Sequence, residues 1–204
     1  MPDQASIVEW CVAGRPISGE EQSGDEALVL ADDHAALVAA VDGVGHGLRA
    51  REAADAAVAS LRQEPWDDLV SVTERCHGAL RATRGAAVGL ALFRDEGTVS
   101  WLGVGDITGR LVSGGGLPAP DGPCLASLSG VAGDEELPPL RPATIPVRRG
   151  DVLILATDGI DGAFADDVVA TGTCEEIADR LLRDFARATD DALVVVVRYL
   201  AEDA

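Results

Sequence analysis

The stretch that decides the fold is residues 38–47, VAAVDGVGHG, in which an apolar run stops at Asp42 and alternating glycines follow. A short continuous apolar run bounded by turn residues is typical of a strand that is buried on both faces. A carboxylate at the end of such a strand costs free energy unless something compensates its charge. Other aspartates in the chain indicate what that compensation is.

The strand that ends at Asp42 pairs with the strand before it. Two apolar runs, 27–30 and 36–41, flank a short polar connector, a spacing typical of a β-hairpin. If the turn centres on residues 33 and 34, the ladder places Asp25 directly opposite Asp42. Opposed residues have Cβ atoms roughly 5 Å apart, and two like charges at that distance destabilise a sheet unless a cation lies between them. The register therefore predicts a cation beside this pair.

The remaining pattern arranges strands and helices in blocks. Residues 46–61 and 67–80 have apolar positions at helical spacing, with Asp67 as the expected cap of the second helix. Thr173 and Glu176 have the spacing of a capping box, which predicts a third helix. Further runs predict strands at 6–16, 86–93, 98–104, 107–112, 151–157 and 192–197. This order indicates an α+β fold, a layered α-β-β-α sandwich of two mainly antiparallel sheets flanked by helices.

Composition limits the classes of function. A chain of 204 residues with 47% hydrophobic content can bury a full core. The net charge of −19, from 16 basic and 35 acidic residues, argues against nucleic acid or an anionic membrane as a partner. Without a membrane-length apolar run or a basic signal-peptide start, a cytoplasmic protein is expected. Four widely separated cysteines are predicted to be buried, reduced thiols: Cys11, Cys76, Cys124 and Cys174.

Other aspartates share the strand-end position of Asp42. Asp158 follows a buried strand, whereas Asp25 and the pair Asp190-Asp191 precede strands. In antiparallel neighbours the start of one strand lies beside the end of the next, so these positions can meet at one edge of the sheets. Oxygen ligands suit hard cations such as Mg²⁺ and Mn²⁺, and two such ions about 4 Å apart can activate water for attack on phosphorus. The pattern predicts a two-metal phosphoryl-transfer site.

Each of these features also has a purely structural interpretation. An Asp-Gly dipeptide at a strand end is often a turn, Asp25 and Asp190 could be solvated loop residues or caps, and His46 could simply begin the first helix. The glycines of 43–47 match part of a dinucleotide-binding loop, but that motif requires a second parallel strand with an acidic residue roughly 20 positions later. Pro65 and another helix follow instead. Only the joint arrangement favours a metal site.

Several segments together resemble the metal-dependent serine/threonine phosphatases of the 2C type (PPM). Within that family they are most similar to the bacterial SpoIIE/RsbU/RsbX branch and its stand-alone RsbX-like phosphatases. The segments follow the family's order and span nearly the whole chain: SGD at 23–25, DGVGHGLRA at 42–50, TRGA at 83–86, WLGVG at 101–105, ATDGI at 156–160 and TDDA at 189–192. The resemblance implies a single PPM-type phosphatase domain over 1–204, with two Mn²⁺ or Mg²⁺ ions at one end of a β-sandwich.

The resemblance also implies roles for individual residues. Asp42 matches the carboxylate that bridges both metals, and Gly43 matches the residue that gives a backbone carbonyl to one of them. Asp158 and Asp190 match ligands of the other ion, so these two and Asp42 are the expected catalytic aspartates. Asp25 matches an acidic residue that acts mainly through metal-bound water.

Some positions depart from the family pattern or have no assigned role. Asp191 stands where relatives carry Asp or Asn, and the resemblance gives it no fixed role. Leu193 stands where many relatives have Thr, a change that leaves the ligands intact. No phosphate-binding arginine can be assigned by position, although Arg49 and Arg84 are candidates. The Gly- and Pro-rich stretch 113–142 predicts long surface loops.

The implied activity is hydrolysis of phosphoserine or phosphothreonine in a protein by a metal-bridging hydroxide. RsbX-type relatives act on STAS-domain regulators in bacterial partner-switching stress or sigma-factor pathways, so a phosphorylated STAS-domain protein is the expected partner. Two alternatives stay open. One is a catalytically silent pseudophosphatase that acts as a binding module, and the other is a phosphohydrolase for small molecules.

Overall fold

The computed structural model describes residues 6–114, 124–134, 136–167 and 170–202. In this part of the chain the strands are β1 (Val8–Arg15), β2 (Asp25–Ala31), β3 (Ala35–Gly43), β4 (Ala86–Arg94), β5 (Thr98–Val104), β6 (Thr108–Val112), β7 (Cys124–Leu125), β8 (Ser127–Leu128), β9 (Ala143–Pro146), β10 (Val152–Ala156) and β11 (Ala192–Tyr199). The helices are α1 (Leu48–Leu61), α2 (Leu69–Leu80), α3 (Phe164–Asp167) and α4 (Cys174–Phe185).

The strands form two sheets that face each other. One sheet has the order β1-β11-β10-β6-β7, and the other has the order β2-β3-β4-β5-β8 with β9 added beside β5. The pairings are antiparallel apart from the short parallel contact between β5 and β8. Apolar side chains between the sheets form one core, while α1 and α2 cover the outer face of the second sheet and α4 covers that of the first. The predicted α-β-β-α sandwich is confirmed.

The β2-β3 hairpin has the predicted register. Asp25 is the partner of Asp42, and the two strands pair residue by residue from there to the turn. β3 is central, and its two faces are both apolar because each one is covered. Val38 points toward the core between the sheets, whereas Leu37 and Val41 pack beneath the helices. A fully buried strand thus ends in a carboxylate, as its sequence predicts.

The helices begin at identifiable caps. Thr173 and Glu176 form the predicted capping box at the start of α4. The predicted cap of α2 is wrong by one residue, because the carboxylate of Asp68 accepts from the backbone N–H groups of Val70 and Ser71. Asp67 instead pairs with the guanidinium of Arg75 at 2.7 Å.

Two further predictions are modified by the structure, and two elements were not predicted. The thiol of Cys11 is only partly buried, because β1 is an edge strand, whereas Cys76 and Cys174 are buried free thiols; the Cys124 side chain lies outside the description. Within 113–142 the described residues include the short strands β7 and β8, while 115–123 and 135 lie outside the described residues. The sequence did not predict α3 or β9. In the described ranges, no helix has the length and apolar character needed to span a membrane.

Candidate metal centre

The predicted aspartates meet at one end of the sandwich. Asp42 at the end of β3, Asp158 just after β10 and Asp190 just before β11 line a common pocket. The pocket has a volume of about 330 Å³. Asp25 begins β2 opposite Asp42 and is only 4% exposed. The other lining residues are Val44, Gly45, His46, Ala87, Gly105, Asp106, Gly130, Val131 and Thr189.

The opposed carboxylates of Asp25 and Asp42 are electrostatically unfavourable as ions. Burial, followed by the negative charges of neighbours such as Asp25, raises the pKa of Asp42 to about 8. The pKa of Asp25 is raised to about 7, chiefly by burial and against the opposing effect of a hydrogen bond from Thr157. Among the described residues, no hydrogen bond or ion pair involves the Asp42 carboxylate. Both raised pKa values mark a place that favours bound positive charge.

Thr157 connects the two sheets at this site. Its hydroxyl donates a hydrogen bond of 2.7 Å to Oδ2 of Asp25 and accepts one of 3.0 Å from the backbone N–H of Leu193. Thr157 is 1% exposed and directly precedes Asp158 in the chain. It therefore fixes the orientation of the Asp25 carboxylate relative to the strand end that carries Asp158. Thr157 lies within the ATDGI segment, but no local pattern in the sequence predicts this contact between the sheets.

Replacing Thr157 with Val should weaken Mn²⁺ binding about 10- to 100-fold, because the Asp25 carboxylate loses the donor that orients it. The free energy of unfolding should fall by about 1–3 kcal/mol, the cost of an unsatisfied buried polar group. Calorimetric titration with Mn²⁺ and denaturant unfolding measure the two effects. A suitable control is Thr144→Val, which removes an exposed hydroxyl contact with Ser100. Unchanged Mn²⁺ affinity in Thr157→Val would contradict the orienting role.

Asp191 is occupied by backbone hydrogen bonds. Its two carboxylate oxygens accept from the N–H groups of Ile17 and Gly24 at 2.7 and 2.8 Å. The side chain is 3% exposed, so the aspartate holds the segment that leads into Asp25. Asp190, its neighbour, is half-buried and lines the pocket instead. The structure thus gives the two adjacent aspartates different surroundings.

Asp158 is more exposed than the opposed pair. Burial, then the charges of Asp190 and Asp106, raise the pKa of Asp158, and the nearby guanidinium of Arg187 opposes this shift. Arg187 also donates a hydrogen bond of 3.1 Å to the backbone carbonyl of Asp158 and pairs with Asp161 at 3.7 Å. These contacts hold the turn that carries Asp158.

The glycines after Asp42 and Asp158 are required by close packing. A Cβ on Gly43 would lie 2.1 Å from the backbone oxygen of Ala50 in α1, and one on Gly159 would lie 1.7 Å from that of Asp191. No side chain fits at either distance. The sequence suggested that these glycines let a carbonyl or a phosphate approach. The structure shows a nearer reason, which is the approach of another backbone segment.

Two other pocket residues change the sequence-based description. Asp106, just after Gly105, lies in the pocket wall, and sequence reasoning missed it because it stopped at the end of the WLGVG segment. His46 lines the pocket too, but α1 begins two residues later, at Leu48. The imidazole Nδ1 lies 3.0 Å from the carboxylate of Glu20. His46 is therefore a wall residue, paired with an acid on the neighbouring loop.

The donor set fits hard divalent cations. The pocket offers carboxylate oxygens, which are ligands that Mg²⁺ and Mn²⁺ prefer, whereas the predicted carbonyl ligand Gly43 lies between the lining residues Asp42 and Val44 and is not itself part of the lining. In the described ranges no three His, Cys, Asp or Glu side chains already converge at ligand distance. Unscreened carboxylates repel one another, so an open arrangement is expected for this cluster. The observation that most clearly calls for a cation is the half-buried Asp42 carboxylate, which has no hydrogen-bond or ion-pair partner among the residues that the structure describes.

Comparison with known families decides the relationship. The family model described as stage II sporulation protein E (SpoIIE) matches residues 32–200, most of the chain. The chain belongs to the SpoIIE family. The predicted resemblance to the SpoIIE/RsbU/RsbX branch of the 2C-type phosphatases is confirmed.

Individual relatives of this SpoIIE-family chain agree with that assignment. The phosphoserine phosphatase RsbX of Bacillus subtilis (strain 168) is 24% identical over 184 residues, which cover 90% of each chain. A chain from a structure described as "The bacterial stressosome: a modular system that has been adapted to control secondary messenger signaling" is 30% identical, with a TM-score of 0.85 and coverage of 94% of this chain and 99% of the other. The crystal structure of RsbX in complex with magnesium superposes with a TM-score of 0.83 at 22% identity, over 97% of both chains. The predicted fold is confirmed.

Proposed function

We propose that this protein is a metal-dependent phosphatase that removes phosphate from phosphoserine or phosphothreonine in a protein substrate. The observation that carries the proposal is the directly opposed pair of the buried Asp25 and the half-buried Asp42, together with the pocket that Asp42 shares with Asp158 and Asp190. A site of this kind concentrates cations, and phosphoryl transfer depends mainly on positioning and electrostatic stabilisation. Membership of the SpoIIE family supports the reaction class.

Each residue has a specific part in the proposed reaction. Asp42, the carbonyl of Gly43, Asp158 and Asp190 would hold two Mn²⁺ or Mg²⁺ ions. Asp25 would act through water. When bound, the ions supply positive charge that lowers the pKa of water and offsets the charge of the phosphoryl oxygens.

Contacts around these ligands keep the site in order. Thr157 fixes Asp25, Asp191 fixes the loop before it, and Arg187 fixes the turn at Asp158. The hydrogen-bonded carboxylates and the β2-β3 ladder thus place the reacting groups before substrate arrives, which avoids reorganisation during the reaction.

The shape of the site and the relatives support a protein as the substrate. The pocket is open at the end of the sandwich, where a phosphorylated loop of another protein can reach it. RsbX is described as a phosphoserine phosphatase, and the 30% identical chain belongs to a structure described as a bacterial stressosome. These likenesses support a phosphorylated STAS-domain protein of a partner-switching stress pathway as the substrate.

The proposal is tested by metal-dependent turnover. Purified protein should hydrolyse p-nitrophenyl phosphate and a phosphorylated STAS-domain protein when Mn²⁺ or Mg²⁺ is present, and EDTA should abolish both activities. Calorimetry should detect Mn²⁺ binding in the same preparation. Binding of metal without hydrolysis of either compound would point to a catalytically silent binding module. Turnover of small phosphoesters without turnover of phosphoproteins would reject the protein substrate.

A further inference from the structure

The carboxylates that line the pocket would repel a negatively charged phosphate group. Four of the pocket's lining residues are carboxylates: Asp42, Asp106, Asp158 and Asp190. A phosphomonoester carries up to two negative charges near neutral pH, so it is repelled by carboxylates that the ions do not neutralise. A binding group from the protein with positive charge would favour entry and fix the orientation of the phosphoryl group. This reasoning rests on the proposed phosphatase function.

Three other basic side chains on segments that adjoin pocket residues already have partners. Arg49 pairs with Glu52 at 3.2 Å on the exposed surface of α1. Arg187 holds the backbone of Asp158, as described above, and His46 pairs with Glu20 at 3.0 Å. Recruiting any of these groups to a substrate would break an existing contact.

Arg84 is different. In the part of the chain that the structure describes, its guanidinium makes no hydrogen bond and no ion pair, and the residue is exposed. Its Nη1 lies 3.0 Å from the point where a Cβ on Gly45 would be, and Gly45 lines the pocket. Gly45 has a φ of +92°, a conformation that glycine adopts readily and that leaves room for the guanidinium. An uncommitted cation thus rests against the rim of an acidic pocket.

The backbone that carries Arg84 is firmly anchored. The carbonyl of Gly85 accepts a hydrogen bond of 3.0 Å from the N–H of Val44, which is next to Gly45. The N–H of Gly85 in turn donates to the hydroxyl of Thr83 at 3.0 Å. A Cβ on Gly85 would lie 2.6 Å from the side chain of Val131, which forms another part of the pocket wall. The base of the exposed Arg84 side chain is therefore held beside the pocket.

We propose that Arg84 binds the phosphoryl group of the substrate. The planar guanidinium can donate two parallel hydrogen bonds to two non-bridging oxygens, which a lysine ammonium cannot match in geometry. Of the two arginines that the sequence left as candidates, the structure favours Arg84, because Arg49 is paired on the helix surface. Arg84 would act together with the metal ions and would not be one of their ligands.

The test compares Arg84→Ala and Arg84→Lys with the control Arg49→Ala, which removes an exposed arginine from the first turn of α1. For each purified protein, KM and kcat are measured with p-nitrophenyl phosphate and with a phosphorylated STAS-domain protein. The inhibition constant for inorganic phosphate is measured as well. Calorimetry gives the Mg²⁺ affinity, which is a readout independent of activity.

Arg84→Ala should raise the inhibition constant for inorganic phosphate, and the KM for both substrates, about 10- to 100-fold, as expected for loss of a hydrogen bond to a charged partner. Arg84→Lys should recover part of the lost phosphate affinity, because lysine restores the positive charge but not the two parallel hydrogen bonds of the guanidinium. Mg²⁺ affinity should stay within about twofold of wild type, and Arg49→Ala should resemble wild type in every measurement.

Three results would overturn the assignment. Phosphate inhibition could be unchanged in Arg84→Ala, the KM could rise only for the phosphoprotein, or Mg²⁺ affinity could fall in parallel with phosphate affinity. The second result would mean that Arg84 contacts the protein part of the substrate, and the third that it supports the metal site. All three require an active wild-type enzyme. An inactive wild type that binds Mg²⁺ would instead refute the proposed phosphatase function.

Discussion

Replacing Asp42 with Asn is expected to lower turnover about a thousandfold or more while leaving the sandwich folded. The carboxylate ends a fully buried strand, directly opposite Asp25, and faces the pocket shared with Asp158. An amide keeps the shape but removes the charge that would hold the cations. Loss of several kcal/mol of electrostatic stabilisation in the transition state corresponds to about three orders of magnitude in rate. Steady-state hydrolysis of p-nitrophenyl phosphate with saturating Mn²⁺ measures the effect.

The matched control for this variant is Asp33→Asn. Asp33 lies in the turn of the same hairpin, at the opposite end of the strands from Asp42, and its side chain is exposed. The same chemical change there should leave turnover within about twofold of wild type. Circular dichroism and the melting temperature should show that both variants are folded. An Asp42→Asn enzyme with wild-type turnover would rule out the proposed role of Asp42 in holding the ions.

The metal-free protein is expected to become less stable as the pH rises from about 5 to above 8. The pKa values of Asp25 and Asp42 in the folded protein are about 7 and about 8, whereas an unfolded aspartate titrates near 3.9, by the usual reference value. Between these limits the folded state binds more protons than the unfolded state, so stability falls with rising pH. The loss begins above the unfolded pKa and is complete above the folded values. The melting temperature in EDTA should therefore drop by roughly 10 °C over this range.

Two further measurements test whether the opposed charges of Asp25 and Asp42 cause that loss of stability. Millimolar Mn²⁺ at pH 8.5 should raise the melting temperature of wild type, because an ion that binds only the folded state stabilises it by mass action. Without metal, Asp42→Asn should be more stable than wild type at pH 8.5, since one of the two opposed charges is gone. The control Asp33→Asn should follow the wild-type curve. A melting temperature in EDTA that stays constant or rises from pH 5 to pH 8.5 would contradict this account.

The register of the β2-β3 hairpin could be predicted from local sequence pattern. A short polar connector between two apolar runs leaves few ways to pair them, and the side-chain period of two makes a slip of one residue expensive. That is why the position of Asp25 opposite Asp42 could be predicted before the structure was known. The capping box of α4 was predictable for the same reason, because its two residues are only three positions apart.

Predictions were less accurate where neighbouring residues compete for one role. Asp67 and Asp68 have the same chemistry, and the choice between them depends on Arg75, which pairs with Asp67 from the next turns of the helix. The strand β9 was not predicted because it is short and mostly exposed, so its pattern is weak. Its formation depends on the free edge that β5 offers.

The sequence by itself determined the sandwich and the positions of aspartates at strand ends, because period, turn length and capping act over a few residues. The family was identified from the resemblance of its motifs. Only the tertiary structure decided which polar side chains at the site are already hydrogen-bonded to other residues. The carboxylate of Asp191 accepts hydrogen bonds from Gly24 and Ile17, which lie 167 and 174 positions earlier in the chain. The hydroxyl of Thr157 donates to Asp25, which lies 132 positions earlier. The position of the Arg84 guanidinium beside Gly45 likewise depends on contact between separate segments. Such contacts arise when distant segments fold against each other, and no local pattern in the chain encodes them.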